Sequence, residues 1–276
     1  MTKRWLLYIA IGGIVAVVLY GLFRYEGKEE VPVIRDYSEI VESDTLRATM
    51  EYNALSLTEG NDSIEGFYLE LVQAFARDHG LQLKVTPEMS MAKRLQGLQE
   101  GRYDLIADGI PVTTERDDSL LLFSLPITRS NQVLVQRKPL NAEDSAKYIS
   151  SQVMLAGKTL HVVKESPAIL RIRNLMAEIG DSIHIATIEK YGAEQLISLV
   201  AHADIDYAVC DRRIALLASD SLPNIDFSIP IGFTQFYAWG VRAGAPALCD
   251  SINVWLEGYM QTKAFKALKR RYLIEN

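Results

Sequence analysis

The 276-residue sequence is poor in the residues that build metal centres and thiol chemistry. It contains four histidines and two cysteines, and neither set shows metal-ligand spacing or a nucleophile beside a base. We therefore expect no metal and no cofactor. Basic residues are not in excess either, because 29 Lys and Arg stand against 35 Asp and Glu. A mildly acidic chain of this kind is not expected to bind nucleic acid.

The sequence contains two cysteines, Cys210 and Cys249, and it does not show whether they form a disulfide. They could pair in an oxidising compartment. However, Cys210 lies inside a predicted strand, where a cysteine is typical of a small buried hydrophobic residue. The sequence does not decide between a disulfide and two free thiols.

One long apolar run is present, from Trp5 to Phe23, and it carries no charge over about 19 residues. At about 1.5 Å per residue, that length is just enough to span a bilayer core. Lys3 and Arg4 precede the run, which predicts a cytoplasmic N-terminus and a periplasmic remainder. A cleaved signal peptide is the alternative, although no small-x-small cleavage site follows. We expect a cytoplasmic tip and inner-membrane anchor over residues 1–23 and a polar tether over residues 24–43.

Beyond residue 44, strand-like and helix-like segments alternate, which predicts parallel crossover units and layered α/β architecture. Two further strand-like segments, Asn131–Gln136 and Phe236–Val241, connect the two halves of the pattern. Two connections imply a hinge and a cleft that can close. The predicted strands are Thr45–Met50, Leu81–Val85, Leu105–Ala107, Gly157–Val163, Ile183–Ile188 and Asp206–Cys210. The predicted helices include Lys93–Glu100, Pro167–Ile179, Ala193–Ala201, Arg212–Ser219, Ala245–Tyr259 and Thr262–Tyr272.

The segment from Asp104 to Arg116 has the pattern of a strand, a short link and a new helix. The first amides of a helix lack intrahelical partners, and the guanidinium of Arg116 can hold a carboxylate beside them. Asp108 and Gly109, at the end of the strand, are further ligand-contact candidates. The alternative is that Thr114 simply caps the helix and Arg116 faces solvent.

Four motifs occur in order: a helix beginning Gly66-Phe67, an "L..G..D" pattern ending at Asp104, a "TTER" turn ending at Arg116, and "FSLP" at residues 123–126. Together they resemble the family 3 extracellular solute-binding proteins, the polar amino-acid receptors of ABC importers. They are also similar to the non-catalytic N-terminal module of membrane-bound lytic transglycosylase F. The resemblance implies an α/β, two-lobed type II periplasmic-binding-protein (Venus-flytrap) fold with two crossover strands. Lobe 1 is then formed by residues 44–130 and 236–276, and lobe 2 by residues 131–235.

The same resemblance implies two further ligand-binding residues. It places Asp211 where relatives bind the ligand ammonium, and Met91 where they place a stacking aromatic residue. Tyr52, at a strand end, could put its ring in the cleft, and Ser166 stands at a second helix start. Each has a simpler alternative: a helix cap for Asp211 and Ser166, core packing for Met91, and an ordinary strand end for Tyr52. Pro111 stands where relatives commonly have a hydroxyl residue, which a proline cannot replace.

The function expected on this basis is that of a membrane-tethered periplasmic solute-binding protein. Its ligand would be a small carboxylate-bearing solute, an amino acid or peptide-like molecule, delivered to an ABC permease. The alternative is a non-catalytic or regulatory relative of lytic transglycosylase F that binds peptidoglycan fragments. Paired carboxylates for glycoside cleavage and a following lysozyme-like domain are not recognisable, so the chain is not expected to be an enzyme. A cyclohexadienyl dehydratase shares the fold, but its acid-base set is not recognisable either.

Overall fold

The computed structural model describes residues 35–59, 64–112, 120–189 and 192–272. The predicted membrane anchor at residues 5–23 and the first part of the tether lie outside the described residues, so both stay predictions. Within the described ranges, none of the helices combines the length and the apolar character that a bilayer crossing requires.

The described strands, numbered in chain order, are β1 Thr45–Met50, β2 Thr58–Glu59, β3 Ile64–Glu65, β4 Gln82–Pro87, β5 Leu105–Pro111, β6 Leu121–Phe123, β7 Thr128–Ser130, β8 Gln132–Arg137, β9 Thr159–Val163, β10 His184–Ile188, β11 Ala208–Asp211, β12 Ile225–Asp226 and β13 Gln235–Arg242. The described α-helices are α1 Tyr37–Glu42, α2 Phe67–Asp78, α3 Met91–Gln99, α4 Ala142–Lys147, α5 Ala168–Ile179, α6 Ala193–Ala201, α7 Arg212–Ser219, α8 Pro246–Tyr259 and α9 Lys263–Arg271. A short 3₁₀ helix spans Gln152–Leu155.

Two mixed sheets define two lobes. The sheet of lobe 1 has the order β4-β1-β5-β13-β6, with β7 also paired to β13. The sheet of lobe 2 has the order β10-β9-β11-β8-β12. In lobe 1, β1 is parallel to β4 and β5, and in lobe 2, β9 is parallel to β10 and β11. Parallel pairs joined through helices were predicted from the alternating pattern, and the structure confirms them.

Helix α2 shows how the sequence pattern builds the core of lobe 1. Phe67, Leu71 and Phe75 recur at helical spacing, and all three are fully buried. They pack in one cluster with Leu46 of β1 and Trp239 of β13. Burying an aromatic or leucine side chain of this size contributes about 1.5–3 kcal/mol each, so this face holds the helix on the sheet.

Most predicted elements are confirmed to within two residues, but β5 is longer than expected. The strand was predicted to end at Ala107, followed by a link, whereas it continues to Pro111. The extra residues pair antiparallel with β13, where Pro111 is opposite Tyr237. The proline can lie here because it is the last residue of the strand, where a missing N–H interrupts little of the ladder. The predicted helix start at Thr114 lies outside the described residues.

The chain crosses between the lobes twice within the described residues. It passes from β7 of lobe 1 to β8 of lobe 2 with Asn131 alone between them, and it returns from β12 to β13 through residues 227–234. The two crossings lie side by side, since the Leu134 and Ile231 amides donate to the Ile229 and Gln132 carbonyls. Paired crossings form a hinge about which two lobes can rotate.

The first described residues are fastened to lobe 1. The guanidinium of Arg35 forms an ion pair with the buried carboxylate of Asp104. Asp36 accepts hydrogen bonds from the Ala247 and Leu248 amides at 3.2 and 2.8 Å, at the start of α8. A carboxylate at a helix N-terminus satisfies amides that have no intrahelical partner. The polar stretch therefore enters the domain through lobe 1.

Candidate ligand-binding cleft

A cavity of about 130 Å³ lies between the two lobes. Its lobe 1 wall comes from the residues that follow β1, the end of β5, and helices α2 and α3. Its lobe 2 wall comes from the residues that follow β9, the end of β11 and the start of α7. The carboxyl ends of parallel strands thus face each other, which is where α/β proteins bind ligands.

Asp108 is the centre of the charged network in lobe 1. Its Oδ1 accepts hydrogen bonds from Ser56 Oγ at 2.5 Å and from the Gly109 amide at 2.9 Å. Its Oδ2 accepts from the Glu51 amide at 3.2 Å and forms an ion pair with Arg94 Nη1. A carboxylate offers about four acceptor positions, so protein donors occupy all those of Asp108.

Glu51 lies beside this network and is held less firmly. Its Oε2 is 3.4 Å from Arg94 Nη2, and the Asn53 side chain also donates to it. The Glu51 side chain is 23% exposed. Burial, followed by the nearby charge of Asp108, raises the pKa of Glu51 to about 7, against the opposing charge of Arg94. Glu51 therefore changes charge in the neutral pH range.

Asp211 is the corresponding centre in lobe 2. Its Oδ1 accepts from Ser130 Oγ at 2.8 Å, and from the Arg213 amide and Nε, each at 2.9 Å. Its Oδ2 accepts from Arg213 Nη2 at 2.8 Å. Burial opposes ionisation, but the charge and hydrogen bonds of Arg213 outweigh it and lower the pKa of Asp211. Asp211 is thus an ionised helix cap whose counter-ion belongs to the same turn.

Arg213 reaches from lobe 2 to the hinge and to lobe 1. Its Nη1 donates to Tyr68 Oη at 3.2 Å and to Thr128 Oγ1 at 2.5 Å. Its guanidinium carbon lies 4.3 Å from the centre of the Tyr237 ring, within cation–π range. Tyr68 fits because Gly109 has no side chain, since a Cβ at that position would lie 2.4 Å from Tyr68 Oη.

Two glutamates of lobe 2 accept hydrogen bonds from lobe 1 across the cleft. Glu194 Oε1 accepts from the Ala54 amide at 2.6 Å. Glu165 Oε2 accepts from Ser90 Oγ at 3.2 Å and from the Ala92 amide at 3.1 Å, at the start of α3. The lobes are therefore in direct hydrogen-bonded contact across the cleft.

Five of the predicted site residues line the cavity: Met91, Asp108, Gly109, Ser166 and Asp211. Their contact with a ligand stays a prediction. Ser166 Oγ also accepts from the Ala168 amide at 3.2 Å, so its capping role is present as well. Tyr52 lies away from the cavity wall and is 40% exposed, because Asn53 and Ser56 of the same loop turn inward instead. Arg116 lies outside the described residues.

Four residues important to the site were not predicted: Glu51, Arg94, Arg213 and Glu194. A signal existed for Arg213, because an aspartate at a helix cap and an arginine two residues later can form a local ion pair. Arg94 and Glu194 carried no such signal, since each is one of several polar residues on its helix and its partner is far away in sequence.

The two cysteines are both unpaired and buried, Cys210 in lobe 2 and Cys249 in lobe 1, and burial raises the pKa of the Cys210 thiol.

The two-lobed architecture and the position of the cleft agree with a match to a family profile. The profile of the bacterial extracellular solute-binding proteins, family 3, matches residues 46–275. The chain belongs to this family. Membership accounts for the two mixed sheets, the paired crossings and the cavity between the lobes of this family 3 protein.

Relatives of this family 3 protein correct one expectation. The chain is 31% identical over 240 residues to membrane-bound lytic murein transglycosylase F of Desulfosudis oleivorans, covering 87% of this chain and 49% of that protein. It is 26% identical to the protein of the same name from Photobacterium profundum, covering 76% and 40%. These are names of an enzyme, so the expectation that the chain is not an enzyme is wrong. The chain spans about half the length of the curated relatives it matches.

Solved structures share the fold. A mutant of ArgBP from T. maritima superposes with a TM-score of 0.71 at 22% identity, covering 86% of this chain and 98% of that one. An ancestral amino acid-binding protein, a precursor of cyclohexadienyl dehydratase, gives 0.72 at 21%, covering 85% and 98%. The GluR0 ligand binding core in complex with L-glutamate gives 0.69 at 17%, covering 83% and 98%. These similarities show the type II fold.

Proposed function

We propose that the cleft binds a small carboxylate-bearing solute, an amino acid or a peptide-like molecule. The observation that carries the proposal is the cavity between the lobes, whose two walls present ionised groups from opposing strand ends. A ligand that contacts both walls favours the closed arrangement, because it gains those contacts only when the lobes meet. The amino-acid-binding proteins with the same fold support this ligand class.

We propose two alternative settings for such a binding domain. In the first, the domain passes its ligand to an ABC permease, with residues 5–23 as the inner-membrane anchor and the lobes in the periplasm. In the second, it is the ligand-binding module of a lytic transglycosylase F type of protein and binds peptidoglycan fragments. The names of the curated relatives support the second setting. The two settings differ in ligand, so a binding screen separates them.

The test is a thermal-shift screen of amino acids, short peptides and muropeptide fragments, followed by calorimetric titration of each compound that stabilises the protein. Binding of free amino acids supports the first setting, and selective binding of muropeptide fragments supports the second. If no compound of these three classes binds at millimolar concentration, the proposed function is wrong.

Arg116 is proposed to hold the ligand carboxylate, and this part has its own test. Replacing it with alanine removes a charge-assisted partner, a loss of about 2–5 kcal/mol if the group is desolvated, and hence at least tenfold in affinity. Arg173→Ala is the matched control, because Arg173 is an exposed residue of α5 far from the cavity wall. Equal ligand affinity in the two variants would show that Arg116 does not hold the ligand carboxylate.

A further inference from the structure

Two phenylalanines at the second crossing and the start of β13 are largely exposed to solvent. Phe233 is 77% exposed and Phe236 is 58% exposed, whereas Gln235 and Tyr237 on either side of Phe236 are buried. Side chains of a strand alternate between its two faces, so Phe236 points away from the cavity that Tyr237 lines. Large aromatic side chains that stay in water lose the stabilisation of burial, so two of them close together indicate a partner.

The strands beside β13 extend this exposed surface. Arg129 of β7 is opposite Phe236 in the ladder, and its side chain is exposed. Residues directly opposite each other in a sheet share a face, so Arg129 and Phe236 are neighbours. Val112, which follows β5, donates its amide to the Phe236 carbonyl at 2.9 Å and is also exposed. Val112, Arg129, Phe233 and Phe236 together are called the hinge patch below.

Helix α9 carries the highest density of positive charge in lobe 1. Five of its nine residues are Lys or Arg, and none is acidic. Phe265 and Leu268 pack into the core, while Lys263, Lys266 and Arg270 are exposed on the opposite face. These three cations, called the cation row below, have no hydrogen-bond or ion-pair partner within the described part of the chain.

The stability of α9 does not account for the cation row. Lys263 is the first residue of the helix, where a positive charge is unfavourable in the field of the helix dipole. Lys266 and Arg270 are four residues apart, and like charges at that spacing destabilise a helix. An acidic protein thus keeps a row of cations at a cost to the helix that carries them, which indicates an anionic partner.

The hinge patch and the cation row border each other. Lys269 of α9 directly precedes Arg270, and its Nζ lies 5.9 Å from the centre of the Phe265 ring. Burial, followed by the nearby charge of Arg129, lowers the pKa of Lys269, so Arg129 lies close to this helix. One surface of lobe 1 therefore combines exposed phenylalanine rings with cations. Its phenylalanines and the cation row lie outside the cavity wall.

We propose that this surface docks on a lipid bilayer with anionic headgroups. Anionic headgroups attract Lys and Arg, and exposed aromatic rings enter the boundary between headgroups and acyl chains. The chain keeps a bilayer within reach, because the predicted anchor ends at Phe23 and the 11 residues 24–34 can span at most about 40 Å before Arg35 joins lobe 1. The net charge of −6 disfavours contact of acidic faces with such a bilayer, so docking orients lobe 1.

The test uses the full chain with vesicles of phosphatidylcholine, either alone or with added phosphatidylglycerol. A membrane-impermeant acylating reagent modifies accessible lysines, and mass spectrometry of the peptides gives the acylation rates of Lys263 and Lys266. Lys84 is the internal control, because it is exposed on β4 and separated from β13 by β1 and β5. The rates report on single residues, so they do not depend on how residues 5–23 associate with the vesicle.

Phosphatidylglycerol should lower the acylation rates of Lys263 and Lys266 at least about threefold and leave that of Lys84 unchanged. High salt should remove this protection, because it screens the charges. The double variant Phe233→Ser with Phe236→Ser should weaken the protection. Its matched control is Leu140→Ser with Val153→Ser, which changes two exposed apolar residues of lobe 2 and should keep the protection. Thermal melting checks that both double variants are folded.

Equal acylation of Lys263 and Lys266 in the two kinds of vesicle overturns the inference. Equal protection of Lys84 also overturns it, because it would show adsorption without a preferred surface. Protection that is unchanged in Phe233→Ser with Phe236→Ser would show that the phenylalanines do not touch the bilayer. Protection by isolated peptidoglycan and by neither kind of vesicle would assign the surface to the cell wall instead. None of these outcomes bears on the ligand of the cleft.

Discussion

Glu194 of lobe 2 accepts a hydrogen bond from the backbone amide of Ala54 in lobe 1, with 2.6 Å between the two atoms. The acceptor side chain begins on α6, and the donor belongs to the loop that follows β1. Because both atoms belong to the protein, we expect this bond to stabilise the arrangement in which the lobes meet.

Glu194→Ala should therefore shift the domain toward an open arrangement. A hydrogen bond to a charged acceptor contributes about 1.5–3 kcal/mol, and roughly half of that at a partly exposed site. A ligand that binds the closed state should lose about five- to tenfold in affinity. Pulsed dipolar spectroscopy between one label on each lobe should show a longer mean distance in Glu194→Ala than in wild type. The control variant is Glu178→Ala, which changes an exposed residue of α5 and should keep the wild-type distance. An unchanged distance distribution would show that the bond does not influence closure.

Arg213→Met should destabilise the fold strongly, because it leaves the buried carboxylate of Asp211 without its counter-ion. Breaking one side of a buried ion pair costs about 3–5 kcal/mol. The double variant Asp211→Leu with Arg213→Met should lose less than the single variant, since it leaves no unpaired charge. Urea denaturation measures both, with Arg173→Met as the exposed control. A double variant less stable than the single one would contradict the assignment of the loss to an unpaired charge.

Glu51 should make stability depend on pH in the acid-to-neutral range. Its pKa is raised from 4.5 to about 7 on folding, so the folded state binds more protons between these values. The contribution of protonated Glu51 to the free energy of unfolding is fully present below pH 4.5 and is lost as the pH rises through about 7. Glu51→Gln should thus be more stable than wild type at pH 8, by about 1–3 kcal/mol, and should match it near pH 4.5. Denaturation curves at the two pH values provide the measurement, and an equal difference at both would argue against a raised pKa.

Gly109→Ala should lower the melting temperature. The new methyl group would lie 2.4 Å from Tyr68 Oη, and Tyr68 is fully buried and bonded to Thr128 and Arg213. Overpacking of this kind costs about 1–3 kcal/mol. Gly258→Ala is the informative control, because nothing lies within 4 Å of its added Cβ and it stands in a helix, where alanine stabilises by up to about 1 kcal/mol. Calorimetric melting should move the two variants in opposite directions.

The anchor proposed for residues 5–23 predicts that the expressed chain fractionates with the inner membrane and keeps its N-terminal region. The reason is the uncharged run that follows Lys3 and Arg4. Intact-mass analysis of the membrane fraction measures this. A mature N-terminus near residues 24–30 would instead identify a cleaved signal peptide.

Most of the fold could be predicted from the sequence, because composition and hydrophobic periodicity are local signals. Thr45–Met50 and Ala193–Ala201 have bounds that follow from composition and periodicity alone, and the structure has the same bounds. The length of β5 was missed because it depends on β13, more than a hundred residues away in the chain. Pairing partners that are distant in sequence leave little trace in a single strand.

The candidate site was predictable in position but not in its ionic contacts. Asp108 and Asp211 line the cavity at strand ends, where α/β proteins bind ligands, and their contact with a ligand stays a prediction. Arg94 and Arg213 decide whether either carboxylate is free to bind a ligand. The direction of an arginine side chain cannot be derived from the spacing of residues in the sequence. Tyr52 shows the same limit, since a strand-end residue faces either the cavity or the solvent according to the turn that follows.

The attachment of Arg35 and Asp36 places the first described residues in lobe 1. The last described residue, Tyr272, packs in the core of lobe 1 as well, so lobe 2 is joined to the rest of the described chain by the two crossings alone. A rotation about these crossings then moves lobe 2 relative to both ends of the described chain.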